Sequence, residues 1–121
     1  MTDENMNTSE NNSKPIQVGI ANFDSEVLNS KQPVLVAFLT SWSQPCAILS
    51  PVLDEIASEC SGILKVARVD ADTSLDLSLW YDVQSIPTLL YFVSGNVHAK
   101  IVGTATKEAI LSKLELTRKA S

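Results

Sequence analysis

The sequence predicts an α/β domain in which a central mixed β-sheet is flanked by helices on both faces. The first observation is the continuous apolar run Val34–Leu39, which is too short for a typical buried helix and rich in strand formers. The second is helical spacing over residues 43–60 followed by a strand pattern at 64–69. A strand, a helix and a strand in this order form a right-handed βαβ unit with two parallel strands. The third is the hairpin signal Ser94-Gly95-Asn96, which joins two strand patterns in antiparallel fashion.

Composition limits the classes of protein that fit this fold. The chain has 121 residues, 45% of them hydrophobic, which is enough for one domain with an apolar core. Nine basic residues against fourteen acidic ones leave a net charge of −5, which argues against a nucleic-acid-binding surface. No apolar run approaches the roughly 20 residues that span a bilayer, and the first residues lack the apolar segment of a secretory signal. We therefore expect a cytoplasmic protein with no nucleic-acid or membrane partner.

The chain divides into two parts of different character. Residues 1–15 are rich in asparagine and acidic residues, a composition that cannot bury enough apolar surface to fold, so they are predicted to form a disordered polar tail. Residues 16–121 carry compact periodic segments without an internal repeat or a long linker. They are predicted to form the single folded domain.

The ends of this domain are assigned from short patterns and caps. Residues 16–20 predict a strand, and Asn22 is placed as the cap of a helix through Val27 and Leu28. Residues 73–81 predict a short helix, and Thr106 is placed as the cap of a last helix.

The long helix over residues 43–60 is predicted to bury one face. The side chains assigned to that face are Ile48, Leu49, Val52, Leu53, Ile56 and Ala57.

Chemistry is expected in the turn after Leu39, because ligand sites of open α/β sheets lie at the carboxyl ends of the strands. This turn leads directly into the long helix. Pro45 suits the first helical turn, and Ser43 is placed to accept a hydrogen bond from the Cys46 amide. If Ser43 has no chemical role, it is an ordinary N-cap of the helix.

Two segments resemble a known family. The first matches the thioredoxin active-site motif Trp-Cys-Gly-Pro-Cys, and its residues here are Trp42, Ser43, Gln44, Pro45 and Cys46. The second, Ile86-Pro87-Thr88, resembles the cis-proline segment of the same family. The likeness extends over about residues 16–117 in order and spacing. The sequence is therefore similar to the thioredoxin family, and the resemblance implies the thioredoxin fold.

Four departures from the family pattern cluster at one reaction centre. The nucleophilic cysteine corresponds to Ser43 and the resolving cysteine to Cys46. The buried acid corresponds to Ala37, the motif glycine to Gln44, and the basic residue after the second cysteine to Ala47. Dithiol exchange needs one thiolate to attack a disulfide and a second thiol to resolve the intermediate. Since Ser43 cannot supply the first step, we expect impaired redox activity.

The two cysteines support different interpretations. The first helical turn favours a thiolate at Cys46, whereas burial opposes its ionisation, so the alternatives are an inert packed thiol and a single nucleophile. If Cys46 and Cys60 lie on one helix they are about 21 Å apart, and a disulfide needs Cα atoms within about 7 Å. We therefore expect no bridge. The one histidine, His98, cannot build a histidine-rich metal site, and we expect no metal and no cofactor.

The resemblance also implies a substrate groove. It places Trp42, Ile86, Pro87 and Gly103 in that groove, with Gln44 and Pro45 beside them. The alternative for Trp42 is core packing. Trp80 either widens an apolar contact patch or packs against the sheet, and packing is the favoured interpretation.

Three functions fit these residues. The leading hypothesis is a module that binds a protein or peptide partner, including thiol-containing ones, at the groove without complete dithiol exchange. The enzymatic alternative is a thiol-disulfide oxidoreductase that uses Cys46 alone, with a small external thiol or a thioredoxin reductase as its reductant. The third is a structural role in a larger assembly.

Overall fold

In the computed structural model, which describes residues 13–114, the strands form one five-stranded sheet. The strands are β1 (Ile16–Val18), β2 (Val34–Leu39), β3 (Lys65–Asp70), β4 (Thr88–Val93) and β5 (Asn96–Val102). Their order is β1-β3-β2-β4-β5. β3 runs parallel to β1 and β2, while β4 is antiparallel to β2 and β5. The predicted mixed sheet is confirmed; the predicted tail falls, up to residue 12, outside the described residues.

Helical segments cover both faces of the sheet, as predicted. They are a π-helix (Asp24–Leu28), α1 (Gln44–Glu59), α2 (Leu75–Trp80) and α3 (Lys107–Lys113). On one face, Leu49 and Leu53 of α1 and Ile110 of α3 pack in one apolar cluster with β2. On the other, Val27 of the π-helix and Leu77 of α2 pack in a second cluster. All six side chains of β2 are buried, because the strand lies between these two layers.

The predicted helix cap at Asn22 is wrong. Its Oδ1 accepts a hydrogen bond from the Gly19 N–H at 2.8 Å, and its Nδ2 donates to the Gln17 carbonyl at 3.2 Å. The asparagine side chain therefore closes the turn after β1, since short polar side chains compete for nearby backbone groups. The π-helix that follows has Phe23 at its N-cap position and no side-chain cap.

Two apolar side chains that were predicted to pack are exposed. Ile48 lies on the outer side of α1, because a helix turns about 100° per residue and its neighbour Leu49 faces the core. Trp80 is 67% exposed, so its predicted packing against the sheet is also wrong. The six-residue helix α2 buries only Leu77, and the ring that packs on the core is that of Tyr81, 5.3 Å from Phe92 between ring centroids.

Candidate functional site

Three chain segments meet at one edge of the sheet. Leu39, the last residue of β2, is paired with Asp70, the last residue of β3. The Ala71 N–H extends this contact by donating to the Leu39 carbonyl at 2.8 Å. β4 begins at the same edge, because Thr88 is paired with Phe38. The motif turn, the turn after β3 and the segment before β4 are thus brought together.

The segment before β4 is linked to the turn after β5. The Ile86–Pro87 peptide bond is cis, and the Gly103 N–H donates to the Pro87 carbonyl at 2.8 Å. Gly103 has a φ of +92°, a conformation that favours glycine. An added Cβ would meet no atom within 4 Å, so the backbone conformation and not lack of space requires glycine here. Pro87 is buried, whereas Ile86 is partly exposed.

Ser43 is the N-cap of α1, and this prediction is confirmed. Its backbone is extended, with φ −88° and ψ 125°, and Pro45 occupies the first turn of the helix. Its Oγ accepts a hydrogen bond from the Cys46 N–H at 3.3 Å. The hydroxyl therefore satisfies one of the helix amides that lack an internal partner.

Cys46 is a buried thiol, only 4% exposed. Its Sγ accepts a hydrogen bond from the Thr40 N–H at 3.4 Å. The side chain belongs to the same apolar cluster as Ala37, which is fully buried on β2. No acidic side chain therefore occupies the position where the family resemblance would place the buried acid.

A cation that was not predicted from the sequence lies beside this position. Arg68 of β3 is the register partner of Ala37, and its guanidinium donates to Ser50 Oγ at 2.9 Å. Ser50 follows Cys46 by one turn on α1. The sequence signal was an arginine within the otherwise apolar run Val66 to Val69, which is unusual for a strand covered on both faces.

The tryptophan of the motif is exposed. Trp42 is 72% accessible, which rules out the alternative of core packing. Its Nε1–H donates to Asp72 Oδ2 at 2.8 Å, and the Asp72 N–H donates to Asp70 Oδ1 at 3.0 Å. Asp72 was missed from the sequence, although an aspartate at the end of a strand and another two residues later are a turn signal. Gln44 and Pro45, at the start of α1, are also exposed.

The remaining thiol and the histidine lie away from this edge. Cys60 is the C-cap of α1, at the opposite end of the helix from Cys46, and both cysteines are free, as predicted. Burial raises the pKa of the Cys60 thiol, Glu59 raises it further, and Lys107 opposes them. His98 is exposed on the edge strand β5.

Over residues 13–114, no three His, Cys, Asp or Glu side chains are grouped so as to hold a metal ion. The described helices include none that is both long and apolar enough to cross a membrane.

Sequence comparisons assign the family. The family model described as Thioredoxin matches residues 14–116. A thioredoxin of Mycobacterium tuberculosis is 42% identical over 107 residues, which cover 88% of this chain and 92% of that protein. A thioredoxin of Pseudomonas aeruginosa is 39% identical over 100 residues, covering 83% and 93%. A bifunctional thioredoxin reductase/thioredoxin of Mycobacterium leprae is 41% identical over 109 residues, which are 90% of this chain but 24% of that protein. The chain therefore belongs to the thioredoxin family.

Proposed function

We propose that this protein binds an extended segment of a partner protein at the motif edge, the surface formed by Trp42, Pro87 and Gly103, without completing dithiol exchange. The observation that carries the proposal is the single thiol of the motif. Ser43 Oγ is engaged as the helix cap, and the second thiol of the chain, Cys60, lies at the far end of α1. Exchange in two steps needs two thiols within reach of each other.

The surroundings of Ser43 do not supply an alternative reaction. A hydroxyl is far less acidic than a thiol and needs an adjacent base to act as a nucleophile. Ala37 offers no base, and the charged side chain in register with it, Arg68, is a cation. His98 lies on β5 and is exposed to solvent. These contacts support a capping role for Ser43 and not a hydrolytic one.

The surface around the motif suits binding. The Trp42 indole is exposed yet held by Asp72, so a partner can cover a large aromatic face with little loss of side-chain freedom. Pro87 and Gly103, joined by their backbone hydrogen bond, form the other side of the edge. Gln44 adds an exposed amide at the start of α1.

A monothiol oxidoreductase is the second candidate. It is favoured by the presence of the Cys46 thiol in the first turn of α1, where its Sγ accepts a hydrogen bond from the Thr40 N–H. The Cys46 thiolate would attack a substrate disulfide, forming a mixed disulfide and releasing one substrate thiolate. An external thiolate would then attack the substrate sulfur, which frees the Cys46 thiolate and leaves the substrate joined to the external thiol. A second external thiolate would break that disulfide and release the reduced substrate. The low exposure of Cys46 opposes this route.

An insulin-reduction assay separates the two candidates. The protein is tested with dithiothreitol, and separately with NADPH and a thioredoxin reductase, beside Cys46→Ala. We expect both proteins to stay at the background rate. Turnover by the wild type that disappears in Cys46→Ala would establish the monothiol oxidoreductase instead.

Binding is measured with a peptide that cannot undergo exchange. The probe is the carboxymethylated B chain of insulin, and its affinity is followed by calorimetry. We expect Trp42→Ala to weaken binding about tenfold, since removing a buried aromatic contact costs on that order. Trp80→Ala is the matched control, because that indole is equally exposed but lies on α2. Equal losses in the two variants would contradict binding at the motif edge.

A further inference from the structure

The outer side of α2 is unusually apolar. Leu75, Leu79 and Trp80 are 62%, 77% and 67% exposed, while Leu77 is the residue that faces the core. At about 100° per residue, the three exposed side chains and Asp76 share an arc of about 140°. The solvent side of a surface helix is normally polar, and exposed apolar patches commonly mark interaction sites.

This apolar surface continues into a groove. A cavity of about 550 Å³ lies between the turn after β1, residues 19–22, and the start of α2, residues 73–76. Ile20 and Leu75 line it, and both side chains are exposed. Asn22 holds the first wall in place through its hydrogen bonds to the Gly19 N–H and the Gln17 carbonyl. We define the α2 face as Ile20, Leu75, Leu79 and Trp80.

The charges around the α2 face are negative. Residues 70–82 contain four aspartates and no lysine or arginine. Asp76 lies within the exposed arc of α2, and Asp82 follows the helix directly. The carboxylate of Asp24, on the π-helix, acts on Tyr81, which directly follows α2. Burial raises the pKa of Tyr81, and the Asp24 carboxylate raises it further. Among residues 13–114, one lysine is hydrogen-bonded here: Lys100 Nζ donates to the Asp82 carbonyl at 3.2 Å.

We propose that the α2 face binds a basic amphipathic segment of a partner protein. Apolar side chains of that segment cover Leu75, Leu79 and Trp80, and its lysines or arginines face Asp76 and Asp82. Opposite charge across an interface favours this partner. A second copy would bring the same aspartates together across a twofold axis, and nucleic acid or an anionic lipid surface would be repelled. The α2 face shares no residue with the motif edge, although its groove begins at Thr73, next to the Asp72 that holds Trp42, and this proposal does not depend on the proposed function.

The test compares two labelled peptides by fluorescence anisotropy. Both have 14 residues with leucine at helical spacing, and the other positions are lysine in one and glutamate in the second. We expect the lysine peptide to bind and the glutamate peptide not to bind. Leu75→Ser/Leu79→Ser should weaken binding about tenfold or more, and Asp76→Asn should weaken it about threefold. Raising the ionic strength should weaken the wild type more than Asp76→Asn.

Control variants distinguish a loss of the binding site from a loss of the fold. Ile63→Ser removes an apolar side chain that is 61% exposed in the turn before β3, at the opposite end of the sheet, and should leave affinity unchanged. Trp42→Ala should also leave it unchanged, although it weakens binding of the insulin peptide. Circular dichroism and the thermal midpoint verify the fold of each variant. Asp76→Asn, which changes charge with almost no change of shape, gives a second reading if the double variant misfolds.

Three results would overturn the proposal. The first is equal affinity for the two peptides, or binding of neither at about 0.1 mM, where a useful recognition site would be occupied. The second is unchanged affinity in Leu75→Ser/Leu79→Ser. The third is a wild-type dimer in sedimentation velocity that the same double variant converts to a monomer, which would make a second copy the occupant.

Discussion

Changing Ser43 to cysteine should restore a second thiol to the motif without restoring an acid. The Ser43 side chain already lies at the helix cap, in hydrogen-bond contact with the Cys46 backbone. A sulfur at this position would lie within the same turn as Cys46, so attack and resolution become possible in one molecule. We expect Ser43→Cys to reduce insulin above the background rate of the wild type.

The alanine at position 37 limits how much activity we expect from Ser43→Cys. It is fully buried in the cluster that holds Cys46, so no side chain there can accept the Cys46 proton when that thiol resolves the mixed disulfide. A positioned general base contributes about 10²–10⁴-fold to a reaction. We therefore expect kcat/KM of Ser43→Cys to be about 10²-fold or more below that of Ser43→Cys/Ala37→Asp.

The second substitution has a stability cost that must be measured beside activity. A carboxylate at position 37 loses its hydration, which is unfavourable for a buried ion. Arg68, its register partner, would supply a cation on the neighbouring strand and reduce that cost. Each kcal/mol lost lowers the thermal midpoint of a domain of this size by about 4–8 °C, so both variants are assayed well below their midpoints. Equal kcat/KM values for the single and double variants would refute the role assigned to Ala37.

Three further predictions concern α1 and its ends. Ser43→Ala removes the acceptor of the Cys46 N–H and should lower the free energy of unfolding by about 0.5–2 kcal/mol in urea titrations; an unchanged midpoint would contradict the capping role. Leu53→Ala, at a fully buried site, should cost about 2–5 kcal/mol in the same measurement, and a loss below that range would mean that the core collapses around the deletion. Lys107→Met removes the cation that lowers the pKa of Cys60, so this pKa should rise and less thiolate should be present at a given pH. Alkylation of Cys60, measured by mass spectrometry, should therefore become slower. A faster reaction would contradict this electrostatic account.

Most of the fold followed from local patterns. The apolar run of β2 was assigned correctly because a strand covered on both faces needs no polar alternation. Thr106 was identified as the cap of α3, and its Oγ1 accepts from the Ala109 N–H at 3.1 Å. Asn22 was misassigned, because its side chain can bind backbone on either side and only the turn after β1 determines which.

The residues of the candidate site remain a prediction from the motif resemblance, whereas the exposure of their side chains was decided by the tertiary structure. The motif resemblance identified Trp42 and Cys46, yet whether each side chain faces solvent depends on the path of the turn and on the sheet beneath it. Asp72 was missed because its partner, Trp42, is about thirty positions away in the sequence. Arg68 was missed because its register partner, Ala37, lies on a neighbouring strand. No local sequence pattern contains either pairing. Trp80 was misassigned because a six-residue helix has little surface to bury.

The amino-acid sequence by itself determined the fold class, the single thiol of the motif and the absence of an acid at position 37, since these depend on residue identity and periodicity. The tertiary structure alone decided that Cys46 is buried beneath its cap, that Asp72 holds the Trp42 indole, and that α2 leaves an apolar face beside acidic residues. The physical reason is that burial and side-chain pairing depend on which strands and turns become neighbours, and that arrangement exists only once the sheet has formed.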